Sequence, residues 1–118
     1  MFNDLKILHT ASLLARHSVE RHAQIADNIA NADTPGFKAK DLEPFSDAFA
    51  RSERAATSDT DQFKAKKINT PGVASPNGNT VSLEDQMTRS TAASRDHDTA
   101  LTIYSKTLSM LRSSLGRS

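Results

Sequence analysis

Leu5, Leu8, Ser12, Ala15, Val19, His22, Ala26 and Ile29 follow one another at alternating steps of three and four residues. That spacing keeps one stripe on one side of a helix, and no Pro or Gly interrupts it before Pro35. It predicts a helix over residues 5–30, with residues 1–4 frayed. Ser12 and His22 weaken the stripe, so this helix depends on packing more than on its own propensity. A second run takes the same steps. Leu83, Met87, Ser90, Ser94 and His97 are followed by Leu101, Tyr104, Leu108, Leu111 and Leu115. Ser82 is placed to cap it, Glu84 and Asp85 fall where the helix dipole favours negative charge, and Gly116 marks its end. Ile103 and Met110 widen the apolar surface beyond a two-helix seam, which implies more than one neighbour.

Between the helices the pattern breaks down. Asn31 suits a helix end, Pro35 pushes Thr34 out of the helical region, and Pro35-Gly36 fits the centre of a type II turn. A short helix is expected within residues 42–56, with Pro44 in its first turn and Phe45 and Phe49 on one face. Residues 57–79 are rich in Ser, Thr, Asp, Gly and Pro and read as a loop-rich, partly disordered connection with a short strand or hairpin. The fold expected is mainly α: two long terminal heptad helices in an antiparallel, coiled-coil-like hairpin. The divisions expected are residues 1–41 for the first helix and its turn, 42–79 for the variable connection, and 80–118 for the second helix.

Composition sharpens this picture. Of 118 residues, 36% are hydrophobic and only 5% aromatic, so few large side chains are present to fill a private core. Apolar stripes on such a chain complete their burial against other chains. Fifteen basic and fourteen acidic residues are interspersed, and Lys64, Lys66 and Lys67 are too few for a nucleic-acid footprint. No stretch reaches the length of a membrane span, and residues 1–6 lack the basic start and apolar run of a secretory signal peptide.

Catalytic chemistry finds no support. There is no cysteine, which removes thiol catalysis and cysteine-bound zinc. The Asp33-Thr34-Pro35-Gly36 segment is split by proline from any protease-like Asp-Thr-Gly and has no second copy. His17 and His22 are five apart, the wrong step for two metal ligands on one helical face. No metal, cofactor or catalytic residue is therefore expected. His22 and His97 lie on the two stripes, where packing is the expected role.

The run Ile25-Ala26-Asp27-Asn28-Ile29-Ala30-Asn31-Ala32-Asp33-Thr34-Pro35-Gly36-Phe37-Lys38-Ala39-Lys40-Asp41 resembles the signature of flagellar rod and hook axial proteins. Its ending looks most like that of the proximal rod members. A second block, Asn77-Gly78-Asn79-Thr80-Val81-Ser82-Leu83-Glu84, resembles the stretch before their C-terminal helix. Lys40 stands where that pattern commonly has Arg, Ser82 where Asp is usual, and His97 where an aromatic is expected. The resemblance implies a family turn motif at Asn28, Asn31, Asp33, Thr34, Pro35, Gly36 and Phe37. It also implies a structural subunit that leaves the cell through the flagellar type III export apparatus without a cleaved signal peptide. Such a subunit polymerises with its own copies and other rod proteins in the periplasmic rod of the basal body, beside the adaptor that joins rod to MS ring. No nucleic acid and no direct membrane span enter that role. The expected assembly interface comprises Leu5, Leu8, Val19, Ile25 and Ile29 with Leu101, Tyr104, Leu108, Leu111 and Leu115. The competing expectations are another axial rod subunit, or a soluble helical adaptor or chaperone that grips an amphipathic partner helix.

Overall fold

The computed structural model describes residues 2–55 and 63–116. Its elements run α1 (Phe2–Ala30), β1 (Lys40–Leu42), α2 (Phe45–Arg54), β2 (Lys67–Asn69) and α3 (Leu83–Leu115). The molecule is long and flat, 67 × 28 × 16 Å. The long helices pack along each other, and side-chain contacts give their direction. Asn28 bonds Gln86, whereas His22, nearly two turns earlier in α1, meets Ser94, further along α3. The pair is antiparallel, as the heptads predict. Among the described residues no helix is long and apolar enough to cross a membrane.

α1 begins at Phe2 rather than near Leu5, with Asp4 in its first turn where the dipole favours it. α3 opens as expected: the Ser82 hydroxyl accepts from the Asp85 N–H at 3.3 Å. Gly116 ends it without entering the left-handed region, at φ −79°. α2 lies inside the expected window, but Pro44 precedes the helix instead of occupying its first turn. There its missing N–H is of no consequence, and its carbonyl accepts from Asp47 and Ala48.

The strand pairing was only half expected. Ile68 does lie in a short strand, but its partner is β1, directly after the turn motif, and no strand was read there. The register pairs Lys40 with Asn69, Asp41 with Ile68 and Leu42 with Lys67. This ribbon and α2 sit on one flank of α1. Leu13 of α1, Ala48 of α2 and Phe63 form a small core there, with Phe45 and Phe49 stacked at 5.5 Å beside it. His17 is buried in the same layer, its Nε2 2.9 Å from the Glu43 carbonyl and its ring edge-on to Phe45. Of the segment read as a loop-rich connection, residues 57–62 lie outside the described residues.

The seam between α1 and α3 is not the stripe of large residues. On α1 it runs through Ala11, Ser18, Ile25 and Asn28, and on α3 through Gln86, Ala93, Ala100 and Thr107, all buried. The α3 set repeats every seven residues, so heptad packing holds, but its phase lies one residue before that of the large side chains. Small residues at these sites let the helices approach closely. Because Ala offers little apolar area, polar contacts carry more of the pairing.

Candidate functional site

Two features stand out: a polar clasp at one end of the hairpin and an uncovered apolar face along it. The clasp starts where α1 stops. Asn31 N–H donates to both the Asp27 and Asn28 carbonyls at 3.1 Å, and Thr34 N–H then donates to Asn31 O. Phe37 N–H closes a turn onto Thr34 O at 3.2 Å, with Pro35 and Gly36 at its centre and Gly36 at φ +75°. That is the expected type II geometry, which requires positive φ at its third residue.

The second sequence block folds onto this turn. Asn79 Nδ2 donates to the Asn31 and Thr34 carbonyls at 2.8 and 2.7 Å, while Asn31 Nδ2 donates to the Asp27 carbonyl at 2.9 Å, so the carbonyls at the end of α1 are met by amides from both blocks. Gly36 N–H donates to Asn77 O, Thr80 N–H to Phe37 O, and Lys38 Nζ to Gly78 O. Gly78, at φ +86°, passes so near that a Cβ there would lie 3.4 Å from the Gly36 Cα. The motifs at 25–41 and 77–84 are thus two halves of one intrachain structure.

Deeper in, Asn28 is wholly buried and fully used. Its Nδ2 donates to Lys40 O at 2.7 Å and Gln86 Oε1 at 3.0 Å. Its Oδ1 accepts from Gln24 Nε2 and the Lys40 N–H. Next to Lys40 in β1, Asp41, 3% exposed, takes a bidentate grip from Arg21 at 3.0 Å and a further bond from Arg89 at 2.7 Å. Burial pushes the Asp41 carboxyl up, but Arg21, the Leu42 N–H and Arg89 outweigh it and hold it below its ordinary value. Glu43 is gripped by Arg51 and accepts from the Lys66 N–H at 2.9 Å. Arg51 is the main cause, against burial, of a Glu43 pKa drawn down to about 2.

Both carboxylates are more acidic in the fold than in the open chain. Their stabilisation is fully present above the ordinary carboxylate range and is lost as pH falls through the folded values. Thermal melts followed by circular dichroism should be flat down to about pH 5 and fall steeply between there and about pH 2. Glu43→Gln should lower the neutral plateau and shallow the acid limb. A melting temperature that rose on acidification would contradict these ion pairs.

The sequence-expected site residues separate into groups. In the turn, Asn28 is buried, Asn31 and Phe37 half-buried, and Asp33, Thr34, Pro35 and Gly36 exposed. On the helices, Leu5, Val19, Ile29, Leu101, Tyr104 and Leu115 are exposed, while Leu8, Leu108 and Leu111 are half-buried. Ile25 departs from expectation. It is 4% exposed and points into the chain's own seam, so no neighbour can reach it without opening the hairpin.

The exposed stripes have a common geometry. Buried Ser18 is followed by exposed Val19, Asn28 by Ile29, Gln86 by Met87, and Ala100 by Leu101. One residue is about 100° of helix rotation. Because α1 and α3 run in opposite directions, the same one-residue offset turns both stripes to the same side of the hairpin. Leu13 and His17 occupy the other flank, beneath the ribbon and α2. One face is therefore covered, and the opposite face presents Leu, Ile, Val and Met from both helices. Burying each such side chain is worth roughly 1.5–3 kcal/mol.

Sequence reading missed Asp41, Arg21, Arg89, Glu43, Arg51, Asn79 and Gln86 as structural polar residues. A usable signal was present: Arg21, Gln24 and Asn28 recur at three- and four-residue steps on one side of α1, as Gln86 and Arg89 do on α3.

These features define a helical-hairpin protein whose terminal segments are clasped together and whose apolar face is open. Residues 23–38 match the family described as Flagella basal body rod protein, a family of structural proteins rather than enzymes. The matched residues end α1 and form the turn on which the clasp closes, and the match supports a structural subunit of the flagellar basal body. No curated protein matches the chain.

Proposed function

We propose that this chain is a subunit of the proximal rod of the flagellar basal body, of the FlgB type, and that it polymerises through its terminal helices into part of the torque-transmitting shaft. The observation that carries the reading is the open face made by both helices, on a chain whose turn motif matches the rod family. Surface area supports it. The chain exposes 7850 Å², whereas a compact monomer of 12.8 kDa would expose about 6,300 Å². The excess, about 1,600 Å², goes with the 67 × 28 × 16 Å shape and leaves room for standard contacts of about 800 Å² per partner. A subunit inside a polymer needs at least two such contacts, and heterologous ones propagate where a single self-complementary patch would close a dimer.

In this role the expected partners are copies of the chain, other rod proteins, the adaptor to the MS ring and the type III export apparatus. The rod lies in the periplasm, and the subunit reaches it without a cleaved signal peptide. The turn motif serves assembly from within, by fixing how the two terminal helices are presented.

Leu101→Asp tests the face. Leu101 is half exposed, so the purified variant should keep its helical circular dichroism, while a strain carrying it should lose rods in electron micrographs and stop swimming. Complete, working rods built from Leu101→Asp subunits would remove the face from the mechanism. Labelled subunits found away from the MS-ring end would point to a different axial position.

A further inference from the structure

By hydrophobicity alone, α1 and α3 would meet through their stripes of large residues. The fold instead buries the small and polar positions next to them: Ala100 has no exposed surface, and Leu101 is half exposed. The clasp determines where α3 starts, but a helix with a fixed start can still turn about its axis. Ser94 meets His22 at 3.3 Å on the exposed rim, and two side chains further inside, Gln86 and Arg89, oppose that turn most directly.

Gln86 is fully buried and forms a single side-chain bond, accepting from Asn28 Nδ2 at 3.0 Å. Its own Nε2 is buried with no partner among the described residues. A buried donor without an acceptor weakens a fold, and an apolar side chain of similar size would serve stability better. Arg89, three residues on and on the same side, reaches Asp41 Oδ2 at 2.7 Å and is braced by Asp85 at 2.8 Å. Together they join α3 to the end of α1 and to β1. A buried polar residue in a helical seam is best known as a device that specifies pairing at some loss of stability.

We propose that Gln86 and Arg89 form a facing lock: positioning residues that hold the small-residue side of α3 against α1 and so keep the Leu101 stripe turned outward. Without the lock, the large stripes turn inward and the chain satisfies its own apolar face. The consequence for assembly rests on the proposed role of that face in rod contacts. The facing itself does not.

The cysteine-free sequence allows a direct test. Ala100→Cys and Leu101→Cys, made singly, place a thiol on the buried and the outward position. With the lock intact, N-ethylmaleimide should label position 101 about tenfold or more faster than position 100. In a Gln86→Leu/Arg89→Leu background the order should reverse while helical circular dichroism is retained. That background strands no buried charge, because Asp41 keeps Arg21, and Asn28 keeps Gln24 and Lys40. An unreversed order overturns the lock, and so does fast labelling at both positions with loss of helicity. Gln86→Leu alone should melt at or above the parent temperature, and a clear fall would mark Gln86 as a stability residue and overturn its assigned role. If labelling reverses but Leu101→Asp still builds rods, the lock stands and the rod reading falls.

Discussion

Replacing Asp41 by alanine is expected to remove about 3–5 kcal/mol of folding stability. The carboxylate is almost wholly buried and is shared by Arg21 and Arg89, side chains that come from different helices. Its removal leaves Arg21, with about a fifth of its side chain exposed, without this counter-charge, whereas Arg89 keeps Asp85. The Leu42 N–H also loses its acceptor. Urea unfolding should show a lower midpoint with an unchanged slope. Double-mutant cycles should give a larger coupling of Asp41 to Arg21, which binds both carboxylate oxygens, than to Arg89. A loss below about 1 kcal/mol would place the pair in the range of ordinary surface ion pairs and discredit the buried-network account.

Asn28→Ala is expected to follow, at roughly 3 kcal/mol, for a different reason. No charge is stranded, but four hydrogen bonds disappear together. Lys40 loses partners for both its N–H and its carbonyl, and the Gln86 amide is left with none. Each buried polar group left unsatisfied costs about 1–3 kcal/mol, reduced here wherever water can enter. The defect should be local at first. Amide exchange at Lys40 should accelerate in Asn28→Ala before α2 is affected, because Asn28 holds both backbone groups of Lys40 while Arg21 still ties Asp41 to α1. Uniform acceleration across the chain would show instead that the layer is not a separate unit. Asn28 and Asp41 lie close in space and share β1, so their losses should not add.

The two substitutions also show which parts of the protein were legible in one dimension. Long Pro- and Gly-free runs with three- and four-residue steps were enough to predict two terminal helices and their antiparallel pairing. Ser82 acts through its hydroxyl on an amide three residues on, and Pro35 and Gly36 through their own backbone geometry, so the cap and the turn could be read without knowing distant neighbours. Phe45 and Phe49, one turn apart, likewise announced α2. Pro44 was misplaced by one position because the two sites differ only in which residue first adopts helical angles.

Other features depend on pairs distant in sequence. Lys40 meets Asn69, Asn31 meets Asn79, and Asp41 meets Arg89; local periodicity places Arg89 on one side of α3 but does not say which residue it meets. The Asp41 site is invisible in sequence because a charge near a turn looks solvated until two guanidiniums arrive from elsewhere. Ile25 was expected to face a neighbour for a related reason: apolar spacing identifies a helix face but not what covers it.

The sequence by itself determined that two terminal helices would form, where each would stop, and that their apolar residues outnumbered what one chain could bury. Only the tertiary structure decided which faces meet. A shift of one residue turns a helix by about 100°, small enough to leave the heptad pattern intact and large enough to exchange Ala100 for Leu101 in the seam. Hydrophobic periodicity cannot resolve that choice, because the two stripes lie side by side on the same helix. The choice is made by directional contacts, Asn28 with Gln86 and Asp41 with Arg21 and Arg89, which exist only once the chain has folded.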